Sequence, residues 1–221
     1  MAEKKLYHLS VEACLAALDT DIDMGLSALE AEKRLSAFGP NQLVEKKAVS
    51  PWNIFFEQFQ DFIVWVLIGA SLVSGFLKEW VDALAIIAIV IVNAILGFIQ
   101  EYRAEKSLAA LKKLSSPNSK VFRDGQRAVV PSSQLVIGDL VEIEAGDNVP
   151  ADSRVVWHSS NFSVQEASLT GESTPVAKTG IALEEREIPL ADRANMVYMG
   201  TFVSSGKAKV LVTDTGMRTE L

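Results

Sequence analysis

Apolar positions change their spacing along this chain, and each spacing predicts a different kind of element. Near the start, Val11, Leu15 and Leu18 recur at helical intervals behind Ser10, a residue type that caps helix N-termini. Ser27-Ala28-Leu29-Glu30 reads as a capping box. It opens a second helix with Leu29 and Leu35 buried, and Gly39-Pro40 closes it. The two form a small helical pair. Between them, Asp19–Asp23 is an acidic turn that lacks the full ligand pattern of an EF-hand and reads as solvated.

The spacing then gives way to continuous apolar runs. Phe62–Leu77 holds no charged residue, and Ala83–Gln100 is a second uncharged run rich in Ile, Val and Ala. The first is slightly short for a span needing about 20 residues. The amphipathic lead-in Trp52–Asp61 supplies the rest, with Trp52 at the interface. A short break at Lys78-Glu79-Trp80 predicts an antiparallel transmembrane hairpin, with spans near 58–77 and 80–100, in preference to a pair of buried core helices. Lys46, Lys47, Arg103, Lys106, Lys112 and Lys113 flank the outer ends, which the positive-inside bias places in the cytosol. Ala104, Leu108 and Leu111 continue helical spacing among charges, with no breaker before Pro117, so the second helix extends as a cytosolic stalk. Asn93 lies within the second run, where a helix–helix hydrogen bond is the favoured role. Glu57 and Asp61 fall on one face of the lead-in helix, either facing water and headgroups or lining an ion entry path.

After Pro117 short β-prone runs alternate with turns. Lys120–Arg123, Asp124-Gly125 and Gln126–Val130 spell a hairpin. Asp139–Glu144 alternates as a half-buried strand does, and Arg154–Trp157, Asn161–Val164, Met196–Phe202 and Lys207–Val212 are further strands. Thr179–Ala194 is charged and irregular, a surface excursion. Many short strands with regular turns predict a compact β barrel or sandwich. The organisation is therefore a helical part over 1–50, a hairpin and stalk over 51–114, and a β-rich domain over 115–221.

Composition narrows the chemistry. The net charge of −7 gives no broad basic field for nucleic acid. Cys14 is the single cysteine, His8 and His158 stand alone, and no Cys/His cluster suggests zinc. No glycine-rich nucleotide cradle of either standard spacing occurs. The stretch with catalytic potential is Ser168–Pro175, which gathers two hydroxyls, a glycine and a carboxylate in Thr170, Gly171, Glu172 and Ser173. Gly171 permits a turn that a Cβ resists, and Pro175 keeps the loop out of a regular ladder. The tip presents Glu172, a carboxylate able to orient a water and take its proton. Alone, such a tetrapeptide is a turn.

The order of parts changes that reading. Gly39-Pro40-Asn41, Glu57-Gln58-Phe59, Asn93–Glu101, Gly138-Asp139, Gly146–Asp152, Leu169–Ser173, Gly200-Thr201 and Thr215–Leu221 occur in sequence across nearly the whole chain. In them the chain resembles the N-terminal part of a P-type cation-transporting ATPase, most closely the calcium-pump-like branch. The resemblance implies a mixed membrane protein. A β jelly-roll-like actuator domain with a small N-terminal helical unit would accompany the first two transmembrane helices, with N-terminus and actuator cytosolic. It implies an aspartyl-phosphate formed from ATP elsewhere in the pump, and an actuator that rotates its TGES loop onto that phosphate. Glu172 would position and deprotonate the attacking water. Gly171 would allow close approach, and Thr170 and Ser173 would shape the loop or bond phosphate or water.

The family's phosphorylated Asp-Lys-Thr-Gly-Thr motif does not occur in this sequence. The 221 residues are therefore expected to be inactive alone, with ATP and Mg2+ bound by the full-length pump. The expected partners are the lipid bilayer, the missing phosphorylation, nucleotide-binding and later membrane domains, and a transported cation, Ca2+ in the first instance. A stand-alone, membrane-tethered interaction or regulatory module without ATPase activity is the alternative.

Overall fold

The computed structural model describes residues 6–43, 50–114 and 117–221. Lys46 and Lys47, and the side chains of Lys112 and Lys113, lie outside what it describes. In chain order the elements are α1 (Val11–Ala17), α2 (Ala28–Phe38), α3 (Pro51–Glu57), α4 (Phe62–Phe76) and α5 (Trp80–Leu114). Strands β1 (Asn118–Arg123), β2 (Gln126–Pro131), β3 (Leu140–Glu144), β4 (Asp152–His158) and β5 (Ser163–Gln165) follow. Then come a short helix α6 (Ala167–Thr170) and strands β6 (Val176–Ala177), β7 (Met196–Val197), β8 (Phe202–Ser205) and β9 (Lys207–Asp214). Two compact units result, Met1–Val44 with Ser116–Leu221, and Glu45–Ser115.

The first unit is built on two antiparallel sheets. The larger has six strands in the order β2-β1-β3-β9-β4-β7, and the smaller has three in the order β6-β5-β8. The predicted hairpin is present, with Arg123 opposite Gln126 across Asp124-Gly125. Period-2 alternation sorts side chains to the two faces of the large sheet. Val141, Ile143, Val155, Val210 and Val212 join Phe162, Val164 and Val203 in a core shared by both sheets. Leu140, Val156 and Leu211 point the other way, where Leu6, Cys14 and Leu15 cover them. Strands covered on both faces explain why β9 reads as a nearly unbroken buried run.

The N-terminal helices are fixed to this sheet by polar clamps. Ser10 accepts from the Ala13 N–H at 3.3 Å and Ser27 from the Glu30 N–H at 3.2 Å, as N-caps do. Glu30 turns its carboxylate to Arg34 at 2.9 Å, and Arg34 also donates to the carbonyls of Leu18 and Ile137. Ala31 is the buried residue of α2, whereas Leu29 is 79% exposed, against expectation. A leucine two positions from Ala31 faces away from the sheet, which only the docking of α2 decides. Met196–Phe202 is not one strand. It divides into β7 in the large sheet and β8 in the small one, with a turn at Gly200 between them. The irregular Thr179–Ala194 is more than a surface excursion, because Ile188, with Leu183 and Leu190, packs on Tyr7, Met196 and Tyr198.

The second unit is helical. Ser71 Oγ donates to the Ala83 carbonyl at 3.1 Å, while Phe55 meets Phe98 at 6.1 Å between ring centroids. Positions advance in opposite senses, so the bent pair α3–α4 runs back along α5 in the antiparallel sense. Helix α5 is continuous to Leu114, as the spacing beyond Gln100 predicts. Among the described residues it supplies the one helix long and apolar enough to cross a membrane by itself, over Trp80–Leu108. Helix α4 has 15 residues, about 22 Å at 1.5 Å per residue, short of a core about 30 Å thick. It reaches span length only together with α3, and the two are bent by 61°. The bend corrects the expected lead-in helix. Glu57 ends α3, and Asp61 is the N-cap of α4, accepting from the Ile63 N–H at 2.9 Å. The two carboxylates therefore do not share a helix face. Asn93 is exposed on α5 and its side chain makes no hydrogen bond among the described residues, so the expected helix–helix bond is not found there.

Candidate functional site

Several polar motif residues that carry the resemblance are occupied in holding the fold. Asn41 donates to the carbonyls of Ser132 and Pro150, at 3.1 and 2.8 Å, and accepts from the Gly216 N–H at 2.9 Å. Asp139 is fully buried, takes two bonds from Arg123 and accepts from the Val136 N–H at 2.8 Å. Asp147 caps the turn at Glu144, with an N–H to carboxylate distance of 3.0 Å. Asp152 accepts the N–H groups of Met199 and Glu220, each at 2.8 Å. The Thr201 hydroxyl donates to the Tyr198 carbonyl at 2.7 Å. Each satisfies a backbone group in a turn or strand end, which a buried polar group must find to avoid a desolvation cost.

The Thr170–Ser173 loop behaves differently. Strand β5 ends at Gln165, Glu166 occupies the N-cap position, and α6 lasts a single turn. Gly171 ends it in the left-handed conformation, φ 78° and ψ −7°. The space where a Cβ would sit is open, so the sign of φ alone requires glycine there. Residues Gly171 to Pro175 are exposed, and Val176 re-enters the small sheet opposite Val164.

Hydrogen bonds root this tip. The Thr170 hydroxyl donates to the Glu166 carbonyl at 3.1 Å and accepts from the Glu172 N–H at 3.2 Å. Gln165 Nε2 donates to the Ser173 carbonyl at 3.0 Å, and the Ser168 hydroxyl to the Gly200 carbonyl at 3.2 Å. Beneath the loop, the Lys178 ammonium lies 2.6 Å from the Glu166 carboxylate, with side chains 0% and 2% exposed. Burial pushes the Glu166 carboxyl up and the Lys178 ammonium down, and each partner's charge opposes that push.

The sequence-derived candidates thus fall together, with distinct environments. The Thr170 hydroxyl is committed within the loop. Gly171 supplies the turn. The Glu172 carboxylate and the Ser173 hydroxyl point no bond at any described residue. An open depression of about 320 Å³ is lined by Glu144, Ala145, Ser159, Asn161, Gly206 and Lys207 and includes none of the loop. Among the described residues no group of three or more His, Cys, Asp or Glu could hold a metal ion. The loop thus presents a rooted, solvent-facing carboxylate. Sequence reasoning missed Glu166 and Lys178, since a charge beside a loop reads as solvated until the fold buries it, and Gln165, whose amide meets the Ser173 carbonyl only once the loop has folded back.

Comparison with known proteins agrees with this architecture. A family model of the P-type ATPase actuator domain matches residues 113–221, and a model of the cation transporter/ATPase N-terminus matches residues 6–74. A calcium-transporting ATPase of Bacillus subtilis is 46% identical over 217 residues, covering 98% of this chain and 24% of that protein. A probable cation-transporting ATPase F of Mycobacterium tuberculosis is 45% identical, covering 92% and 22%. A sodium/potassium exporting P-type ATPase of Schizosaccharomyces pombe is 40% identical, covering 91% and 20%. The chain belongs to the P-type cation-transporting ATPase family and carries its N-terminal region and actuator domain. It spans about a quarter of the length of the first of these relatives.

Proposed function

We propose that this chain is the N-terminal part of an ATP-driven cation pump, with calcium as cargo, and that its Thr170–Ser173 loop promotes hydrolysis of an aspartyl-phosphate. The carrying observation is Glu172: an exposed carboxylate without a structural partner among the described residues, at the tip of a loop that the Thr170 hydroxyl and the Ser173 carbonyl root to the fold. In the full-length pump, ATP and Mg2+ act on an aspartate in domains beyond this chain. Glu172 then takes a proton from the water attacking phosphorus. The acyl-phosphate P–O bond breaks, phosphate leaves, and the aspartate carboxylate is regenerated. The left-handed turn at Gly171 keeps the tip free of side-chain bulk next to the phosphate. Ser173 is the loop hydroxyl free to bond phosphate or water, whereas Thr170 shapes the loop.

In this reading residues 1–50 and 115–221 form an actuator of jelly-roll type, and 51–114 form a two-span hairpin with a stalk. The protein is an integral, multi-pass membrane protein with N-terminus and actuator in the cytosol. Exposed apolar side chains along α4 and α5, among them Phe62, Leu72, Phe76, Val81 and Leu84, support lipid contact. Calcium is favoured by the Bacillus subtilis relative, a calcium-transporting ATPase, and the cation would be selected in membrane helices outside these 221 residues. Phosphorylation-driven rotation of the actuator would move the hairpin through the chain connections that join them.

Glu172→Gln in the full-length pump tests the chemistry. Phosphoenzyme should form from ATP at the parent rate, while its breakdown slows by about 100-fold or more, the usual worth of a positioned base. Breakdown at the parent rate would remove Glu172 from the reaction.

A further inference from the structure

We propose that the buried Glu166–Lys178 ion pair is a positioning device that fixes where the loop presents Glu172. This rests on the reading of Glu172 as the water-activating base.

The two residues bracket the loop, Glu166 just before α6 and Lys178 just after β6. Lysine and glutamate are almost never this deeply buried unless paired. Beyond each other, neither charged group has a hydrogen-bond partner among the described residues. Such a pair is a poor source of stability, because desolvation offsets most of its attraction. It is, however, directional in a way that two apolar side chains are not.

A chain of contacts leads from the pair to the tip. The Lys178 ammonium holds the Glu166 carboxylate at 2.6 Å. The Glu166 carbonyl accepts the N–H groups of Leu169 and Thr170, each at 2.9 Å, and the Thr170 hydroxyl at 3.1 Å. That hydroxyl accepts the Glu172 N–H at 3.2 Å. Glu166 is therefore both the anchor in the core and the N-terminal hub of the one-turn helix carrying the tip. Lys178 is held in its turn, its N–H donating to the Phe162 carbonyl at 3.2 Å beside the β5–β6 pairing. Letting Glu166 swing would move Thr170, and with it the backbone of Glu172. Displacement of a reacting group by about 1 Å can cost 100-fold in rate.

The experiment uses the full-length pump with three variants: E166M/K178M, the charge exchange E166K/K178E, and E172Q as control. Phosphoenzyme formation from labelled ATP and its decay after a chase are measured separately, with thermal unfolding of each variant. E166M/K178M fills the same space without a buried charge. It should fold and form phosphoenzyme within about twofold of the parent, yet lose it about tenfold more slowly. E166K/K178E restores an ionic tether and should bring decay back to within about threefold of the parent. Parent-like decay in E166M/K178M, equal slowing of formation and decay, or unfolding of both double variants would each overturn the proposal in favour of a purely structural pair. Slow decay in E172Q beside normal decay in E166M/K178M sinks the positioning role alone. Normal decay in E172Q sinks the base assignment, and the positioning role with it.

Discussion

At the scale of single residues, the largest unpredicted feature is Arg154. Its side chain is fully buried in β4, where a sequence reader sees only a strand residue. The guanidinium donates to the carbonyls of Val155 and Gly180, at 2.6 and 2.9 Å, and to those of Leu9 and Asn195, at 3.2 and 3.4 Å. It thereby ties the N-terminal segment and the irregular Thr179–Ala194 region to the large sheet. The planar fork of donors suits several acceptors at once, which an ammonium does not. Arg154→Met leaves buried carbonyls unpaired and should cost about 3 kcal/mol in denaturant unfolding. Arg154→Lys should recover less than about half of that. Recovery to the parent value would show that charge alone, not the fork, holds these segments.

At the scale of elements, turn geometry decides how strands reach their partners. Gly206 links β8 of the small sheet to β9 of the large one, at φ 74°. A Cβ there would lie 2.6 Å from Ser159 Oγ and 2.7 Å from Phe162 Cα. Gly146 also has positive φ, 99°, but nothing stands within 4 Å of its Cβ position. Gly146→Ala should therefore cost about 1 kcal/mol from backbone strain alone. Gly206→Ala adds overpacking against backbone and should cost about 3 kcal/mol. Urea unfolding of the two variants separates these terms, and equal losses would mean that the Phe162 segment yields. The helical elements were better predicted than their lengths. Helix α3 has already ended at its C-cap Gln58, and Asp61, capping the Ile63 N–H, starts α4 afresh in a new direction.

At the scale of the whole molecule, two units of opposite surface character share one chain. The first gathers most of its apolar residues between sheets and under α1 and exposes others singly, whereas the second leaves runs of them exposed along α4 and α5, Phe76 at 88% and Val81 at 80% among them. Apolar surface of that extent needs lipid or further helices to cover it. The chain expressed in membranes should resist extraction by alkaline carbonate and require detergent for release. Replacing 51–114 with a short polar linker should release it to the soluble fraction. Retention of the linked form in the pellet would contradict the assignment of membrane affinity to this unit.

The sequence alone determined the features that arise from local physics. Helical spacing behind Ser10 and Ser27, the uncharged runs, the Asp124-Gly125 hairpin and the exposed turn at Gly171 all depend on residues a few positions apart. Their chemistry is legible without a fold. The tertiary structure decided what depends on residues distant in sequence. Strand β9 enters between β3 and β4, and that placement buries Leu211 on one face and Val210 on the other. Docking of α2 buried Ala31 and left Leu29 in solvent. The small sheet carried Lys178 to Glu166, and the large one enclosed Arg154. A charged residue is written identically in sequence whether water or protein surrounds it. Only packing sets the desolvation that turns Glu166 and Lys178 into a buried pair beneath the loop.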